Sequence, residues 1–157
     1  MNSEAVEDLN ALLKGELSAV ETYHQALPKV ESKEIASVLS DCLASHELRV
    51  NKLRDAIEQY GGTPESDSGI WGSWAKVLSG GATAFGDDAT VAALEQEEDA
   101  HSSDYEWRLV KMHGEHRDLV KNELMPEQQR YRSMLSNLLN AETNGKWPPT
   151  PVKDKEI

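Results

Sequence analysis

The sequence predicts an all-α protein, a four-helix bundle made of two antiparallel hairpins joined by a long crossover. Three observations carry this prediction. Apolar residues recur at helical spacing in four separate stretches of the 157 residues. Glycine and proline punctuate the intervals between them. The connections are unequal, because the first and last are short turns whereas the middle one runs from residue 61 to 87.

The first helix is expected from about Glu4 to Leu27, where Pro28 ends it. Ser32 is a fitting N-cap for the second, which reaches Tyr60 before Gly61-Gly62-Thr63-Pro64. Its apolar face is Ile35, Val38, Leu39, Cys42, His46, Val50, Leu53, Ile57 and Tyr60. Asp87 and Asp88 are expected to cap the third helix, which continues to about Met112 and stops near Gly114. The fourth carries Leu124, Gln128, Tyr131, Leu135 and Leu138 on one face, with Pro126 expected to break its early part and to serve as the first residue of the restarted helix. The long connection has an amphipathic piece of its own, Trp71, Trp74, Leu78 and Phe85, read as a short helix. One domain over residues 1–142 is expected, followed by a Pro-rich tail over 143–157 that should be mobile. One long crossover between two hairpins is the ferritin-like layout, not the up-down-up-down one.

Polar residues within the apolar stripes point to a site. Glu16 lies on the face formed by Leu9, Leu13, Val20 and Leu27, and Glu98 on that of Val91, Leu94, Tyr105, Leu109 and Met112. Glutamate is almost never fully buried unless it is paired or bound to a metal. Each Glu also stands seven residues before a tyrosine, Tyr23 or Tyr105. Glu16 and His46 are equidistant from Glu31 in the first turn, so a hairpin puts them level, roughly 22 Å from that turn. The same offset of thirty carries Glu98 to Gln128. His101, one turn beyond Glu98, completes a Glu-x-x-His pair. Glu16, His46, Glu98 and His101 are therefore the candidate metal ligands, with Tyr23, Glu95, Tyr105, Gln128 and Arg132 as candidates for the surrounding layer.

Simpler readings stand beside these. His46 can be a core histidine bonded to Glu16, and Glu98 can pair with Arg132 or His101. The two tyrosines fit core aromatics with satisfied hydroxyls. Glu21-x-x-His24 points away from the core, and His113 and His116 flank Gly114 in an expected solvated loop.

The segment from Leu9 to Tyr23, LNALLKGELSAVETY, resembles the first helix of bacterioferritin-like proteins. With Ser45-His46-Glu47, Ser68-Gly69-Ile70-Trp71-Gly72 and Glu97-Glu98-Asp99, the chain is similar to an uncharacterised bacterial ferritin-like family of four-helix proteins, a domain of unknown function. The resemblance spans about residues 5 to 142, and Ser-Gly-x-Trp-Gly is its most distinctive part. Di-iron members of that superfamily use one Glu from each of two helices and a Glu-x-x-His from each of the other two. Here Leu43 stands where the carboxylate partner of His46 would be, and the last helix offers Glu127-x-x-Arg130 with no histidine. Two carboxylates and two imidazoles suit one Fe, Mn or Zn ion per chain, not two.

The expected function is thus a ferritin-like metal-binding protein, with oxidase or peroxide-related chemistry. The alternative is a non-enzymatic bundle with a degenerate site, acting as a structural or protein-interaction module. A net charge of -12 opposes sequence-independent binding of nucleic acid. No apolar run is long enough for a membrane span, no signal peptide is visible, and a lone Cys42 excludes an intrachain disulfide. A cytoplasmic protein is expected. The crossover aromatics suggest a homodimer or higher oligomer.

Overall fold

The computed structural model describes residues 2–69 and 86–143. The crossover's apolar residues Trp71, Trp74, Leu78 and Phe85, and the Pro-rich tail beyond residue 143, lie outside the described residues. Among those described, regular structure is entirely helical: α1 (Ser3–Ala26), α2 (Lys33–Gln59), α3 (Asp87–Lys111), the short α4 (His116–Leu119) and α5 (Met125–Thr143). A 3₁₀ turn, Leu27–Lys29, closes α1, and a π-helical turn, Val120–Leu124, joins α4 to α5. None of the described helices is long and apolar enough to cross a membrane.

Local chemistry sets the ends. The Asn2 side chain accepts from the Ala5 amide at the start of α1, and the Ser32 hydroxyl accepts from the Ile35 amide at the start of α2. Gly61, with φ +85°, supplies the left-handed residue that ends α2. Two expectations are corrected. Gly86, not an aspartate, is the N-cap of α3. Asp87 instead reaches across to accept from the Glu31 and Ser32 amides, which leads a tertiary contact to win over a local cap. Pro126 does not stop the helical run; it stands second in α5, which restarts at Met125, one residue from the expected position. The π turn immediately before it widens the backbone, so that the missing N–H and the ring are accommodated without a stop.

Cross-helix contacts give the topology. Asn2 N–H donates to Tyr60 O and Glu16 meets His46, so α1 and α2 are antiparallel with paired residue numbers summing to 62. Glu98 meets Gln128 and Glu95 meets Ser136, so α3 and α5 are antiparallel too. Tyr23 meets Glu98 and Tyr105 meets Glu16, which sets α3 antiparallel to α1 and hence parallel to α2. Tyr60 accordingly lies at the Asn2 end of the bundle, whereas Asp87 lies at the Glu31–Ser32 end. Residues 61–69 start back along α1. Asn10 donates to Thr63 O and accepts from Glu65 N, and Lys14 pairs with Glu65 at 3.6 Å.

The apolar core is split in two. Leu9, Leu12, Leu13, Leu53, Ile57, Met112 and Leu124 pack at one end, and Ile35, Leu39, Cys42, Val91, Leu94 and Leu135 at the other. Between them lies a layer of buried polar side chains.

A buried polar centre as the candidate functional site

Helical periodicity brings Glu16 from α1, His46 and Arg49 from α2, Glu98 from α3 and Gln128 from α5 into this layer, each at most 2% exposed. His46 stands between the two carboxylates. Its Nδ1 lies 2.6 Å from Glu16 Oε1 and its Nε2 lies 2.8 Å from Glu98 Oε1. Two ring nitrogens facing two carboxylate oxygens describe an imidazolium that donates on both sides. Arg49 Nη1 donates to Glu16 Oε2 at 3.0 Å and also to Gln128 Oε1. Gln128 Nε2 donates onward to Glu98 Oε2 at 2.8 Å and to the Glu98 carbonyl at 3.1 Å.

The Glu-x6-Tyr spacing resolves into a crossed pair. Tyr23 of α1 donates to Glu98 of α3, and Tyr105 of α3 donates to Glu16 of α1, each at 2.6 Å. Both pairs sum to 121, as level positions on two antiparallel helices must. All four oxygens of the two glutamates therefore accept a hydrogen bond.

Electrostatics follow from this geometry. Burial alone would raise the Glu16 carboxyl, but Arg49 and His46 outweigh it and hold it down at about 2. Against the same burial, His46, Arg49 and the Tyr23 hydroxyl keep Glu98 well below the usual carboxylate range. Burial pushes His46 down and Arg49 repels its proton, yet Glu98 and Glu16 together raise it to about 9. Burial and the adjacent Glu98 and Glu16 carboxylates push Tyr23 and Tyr105, respectively, well above the ordinary phenol value. Arg49 Nη2 approaches His46 Nδ1 to 3.1 Å, a contact between two cations that Glu16, bonded to both, makes tolerable. Two negative and two positive charges leave the four-residue centre neutral.

His101 does not join Glu98. Its Nε2 lies 3.3 Å from Glu97 Oε2, and its ring centroid is 6.3 Å from that of His46. Glu97 is 1% exposed; Ser18 and Thr22 of α1 also reach its Oε2, each at 3.1 Å, while Oε1 has no hydrogen-bond partner. Glu95 turns away from the centre to accept from Ser136. Arg132, expected near the interior, is exposed and pairs with Asp99, its long side chain carrying the guanidinium out to solvent. His24 is exposed as expected and faces Glu47. His116 corrects the expected solvated loop. It is 2% exposed, lies 2.8 Å from Asp8 Oδ2 and packs edge-on to Tyr60, since α4 folds the turn back onto the start of α1. Cys42 is buried packing, its thiol pushed up to about 12 by burial and by Glu98.

Arg49 and Glu97 are not among the site residues expected from sequence. Arg49 is three residues after His46, on the same helical face, and Ser18-x3-Thr22 on α1 is the hydroxyl pair that marks a buried acceptor opposite.

The donor types suit a divalent ion, but their arrangement does not. Glu16 and Glu98 lie on opposite edges of the His46 ring, and His101 faces a different carboxylate. Among the described residues, no three His, Cys, Asp or Glu side chains come together as a group that could hold a metal ion.

Comparison with known proteins places the chain in a family. Residues 4–110 match the model of a domain of unknown function, DUF2383, and the chain belongs to that family. No curated protein and no solved structure matches.

Proposed function

We propose that this member of the DUF2383 family is a ferritin-like four-helix bundle with a degenerate metal centre, a non-enzymatic module that acts through its surface. One observation carries this reading: Arg49 and His46 satisfy the two buried carboxylates where a ferritin-like bundle would use metal. The parallel run of α2 and α3 supports the ferritin-like assignment. A centre of this kind offers no open coordination position and no nucleophile, and what it does is fix helix register. The outward apolar side chains Trp107 and Val110 on α3 and Leu48 on α2, 55%, 81% and 49% exposed, are what the described surface offers a partner.

A second reading, a resident Fe, Mn or Zn ion, is favoured by the unpartnered Glu97 Oε1, an oxygen buried in the same layer. The two readings part on one experiment. Protein purified without an affinity tag is assayed for metal and melted with and without chelator. The degenerate centre requires less than a tenth of an equivalent of metal, in keeping with roughly millimolar or weaker affinity, and an unmoved midpoint. Stoichiometric metal with a midpoint that chelator lowers establishes the second reading instead.

A further inference from the structure

The atoms around the Arg49 guanidinium are those a cation site would use. Glu16 Oε2 lies 3.0 Å from Nη1, Gln128 Oε1 is bonded to the same nitrogen, His46 Nδ1 lies 3.1 Å from Nη2, and the Ser45 carbonyl lies 3.3 Å from Nε. Three helices, α1, α2 and α5, supply these atoms, and the guanidinium they enclose is 1% exposed. Burying an arginine this completely is costly unless every donor finds an acceptor. A carboxylate, an amide oxygen and an imidazole nitrogen also form an oxygen- and nitrogen-rich set that borderline divalent ions accept.

We propose that Arg49 is the built-in occupant of a cation site formed by Glu16, His46 and Gln128, and that guanidinium and divalent metal are mutually exclusive there. This rests on the reading of the centre as metal-independent and names what closes it. The site differs from the set expected from sequence, since it includes Gln128 and excludes Glu98 and His101. Removing Arg49 leaves Glu16 with the Tyr105 hydroxyl and the imidazolium, and frees the acceptors that Arg49 held: Glu16 Oε2, Gln128 Oε1 and the Ser45 carbonyl. A divalent ion entering it binds His46 Nδ1 as that nitrogen releases its proton to solvent.

The test titrates Co²⁺ and Zn²⁺ into the full chain as wild type, as Arg49→Ala and as Arg49→Ala with Glu16→Gln. Calorimetry and the visible ligand-field bands of Co²⁺ provide the readouts. Arg49→Ala should bind one ion per chain, roughly 100-fold tighter than wild type, because the centre then has two buried carboxylates and a single positive charge. Its melting temperature should rise with added metal, and Glu16→Gln should abolish both effects. A folded Arg49→Ala that binds as weakly as wild type, at roughly millimolar metal or not at all, overturns the proposal while leaving the metal-independent reading intact. Wild type that itself binds one ion per chain at roughly micromolar or tighter overturns both. If Arg49→Ala is unfolded in metal-free buffer, recovery of its helical circular dichroism on adding Zn²⁺ supports the site, and no recovery at millimolar Zn²⁺ overturns it.

Discussion

Raising pH through the neutral range should weaken the fold, and His46 should be the cause. Its imidazole is raised from 6.5 to about 9 in the native state by Glu98 and Glu16, against burial and the repulsion of Arg49. A group with a raised native pKa contributes stability that is complete below its unfolded value. That contribution is lost as pH climbs through the native value. The window is therefore pH 6.5 to about 9, and the full effect is worth about 3 kcal/mol. For a chain of this size that is about 6–12 °C in melting temperature. Glu16 acts at the other end. Held at about 2, it stabilises above the ordinary carboxylate range and loses that contribution only as pH falls toward 2. Thermal melts at pH 6, 7.5 and 9, on wild type and His46→Gln, isolate the effect as a difference in slope. A resident metal would give the opposite sign, because protons compete with the ion for its ligands and the midpoint would rise with pH. A wild-type midpoint that is flat or rising over this window, or a His46→Gln slope equal to that of wild type, refutes the doubly bonded imidazolium.

The crossed hydroxyls should each matter. Tyr105→Phe and Tyr23→Phe remove donors to Glu16 and Glu98, and each should cost about 1.5–3 kcal/mol by urea denaturation. A loss under roughly 0.5 kcal/mol in both would mean that the carboxylates do not depend on them. Glu98→Leu leaves the imidazolium without one of its acceptors and should cost about 3–5 kcal/mol, whereas Glu95→Leu, on the flank beside Ser136, should change stability by less than about 0.5 kcal/mol. Equal losses in the two variants would deny the centre its special status. Gly62→Ala sets a methyl group 2.5 Å from the Val6 side chain and should cost about 1–3 kcal/mol. Val6→Ala should relieve most of that loss, measured as a double-mutant cycle.

The positions of Glu16, His46, Glu98 and Gln128 in one layer are legible from sequence, because helical period and hairpin register are both arithmetic on residue numbers. Pairing about Glu31 gives the 16–46 match, and the Asn2–Tyr60 bond repeats the same sum at the far end. Side-chain choice among neighbours is not legible in that way. His101 lies one turn from both Glu97 and Glu98, and only the hydroxyls of Ser18 and Thr22 on another helix draw Glu97 inward to meet it. Arg49 follows the face of His46, but a long cationic side chain usually leaves such a face for solvent. What holds it inside is a set of acceptors from α1 and α5. Asp87 serves the neighbouring helix for the same reason, and His116 is buried by Asp8, more than a hundred residues away.

Glu-x6-Tyr does its work only in duplicate. A carboxylate and a hydroxyl two turns apart cannot meet on their own helix, because seven residues separate them by roughly 10 Å along the axis. On two antiparallel helices the same spacing places each Glu level with the other helix's Tyr, and both bonds form at one relative height of α1 and α3. Sliding α3 by one turn would break both at once and strand Glu16 and Glu98 among apolar side chains. A slip costs several buried charge-assisted bonds, while purely apolar stripes would tolerate it at far less. Apolar clusters above and below the layer supply the bulk of the burial, and the neutral polar layer between them decides which of the possible packings is the native one.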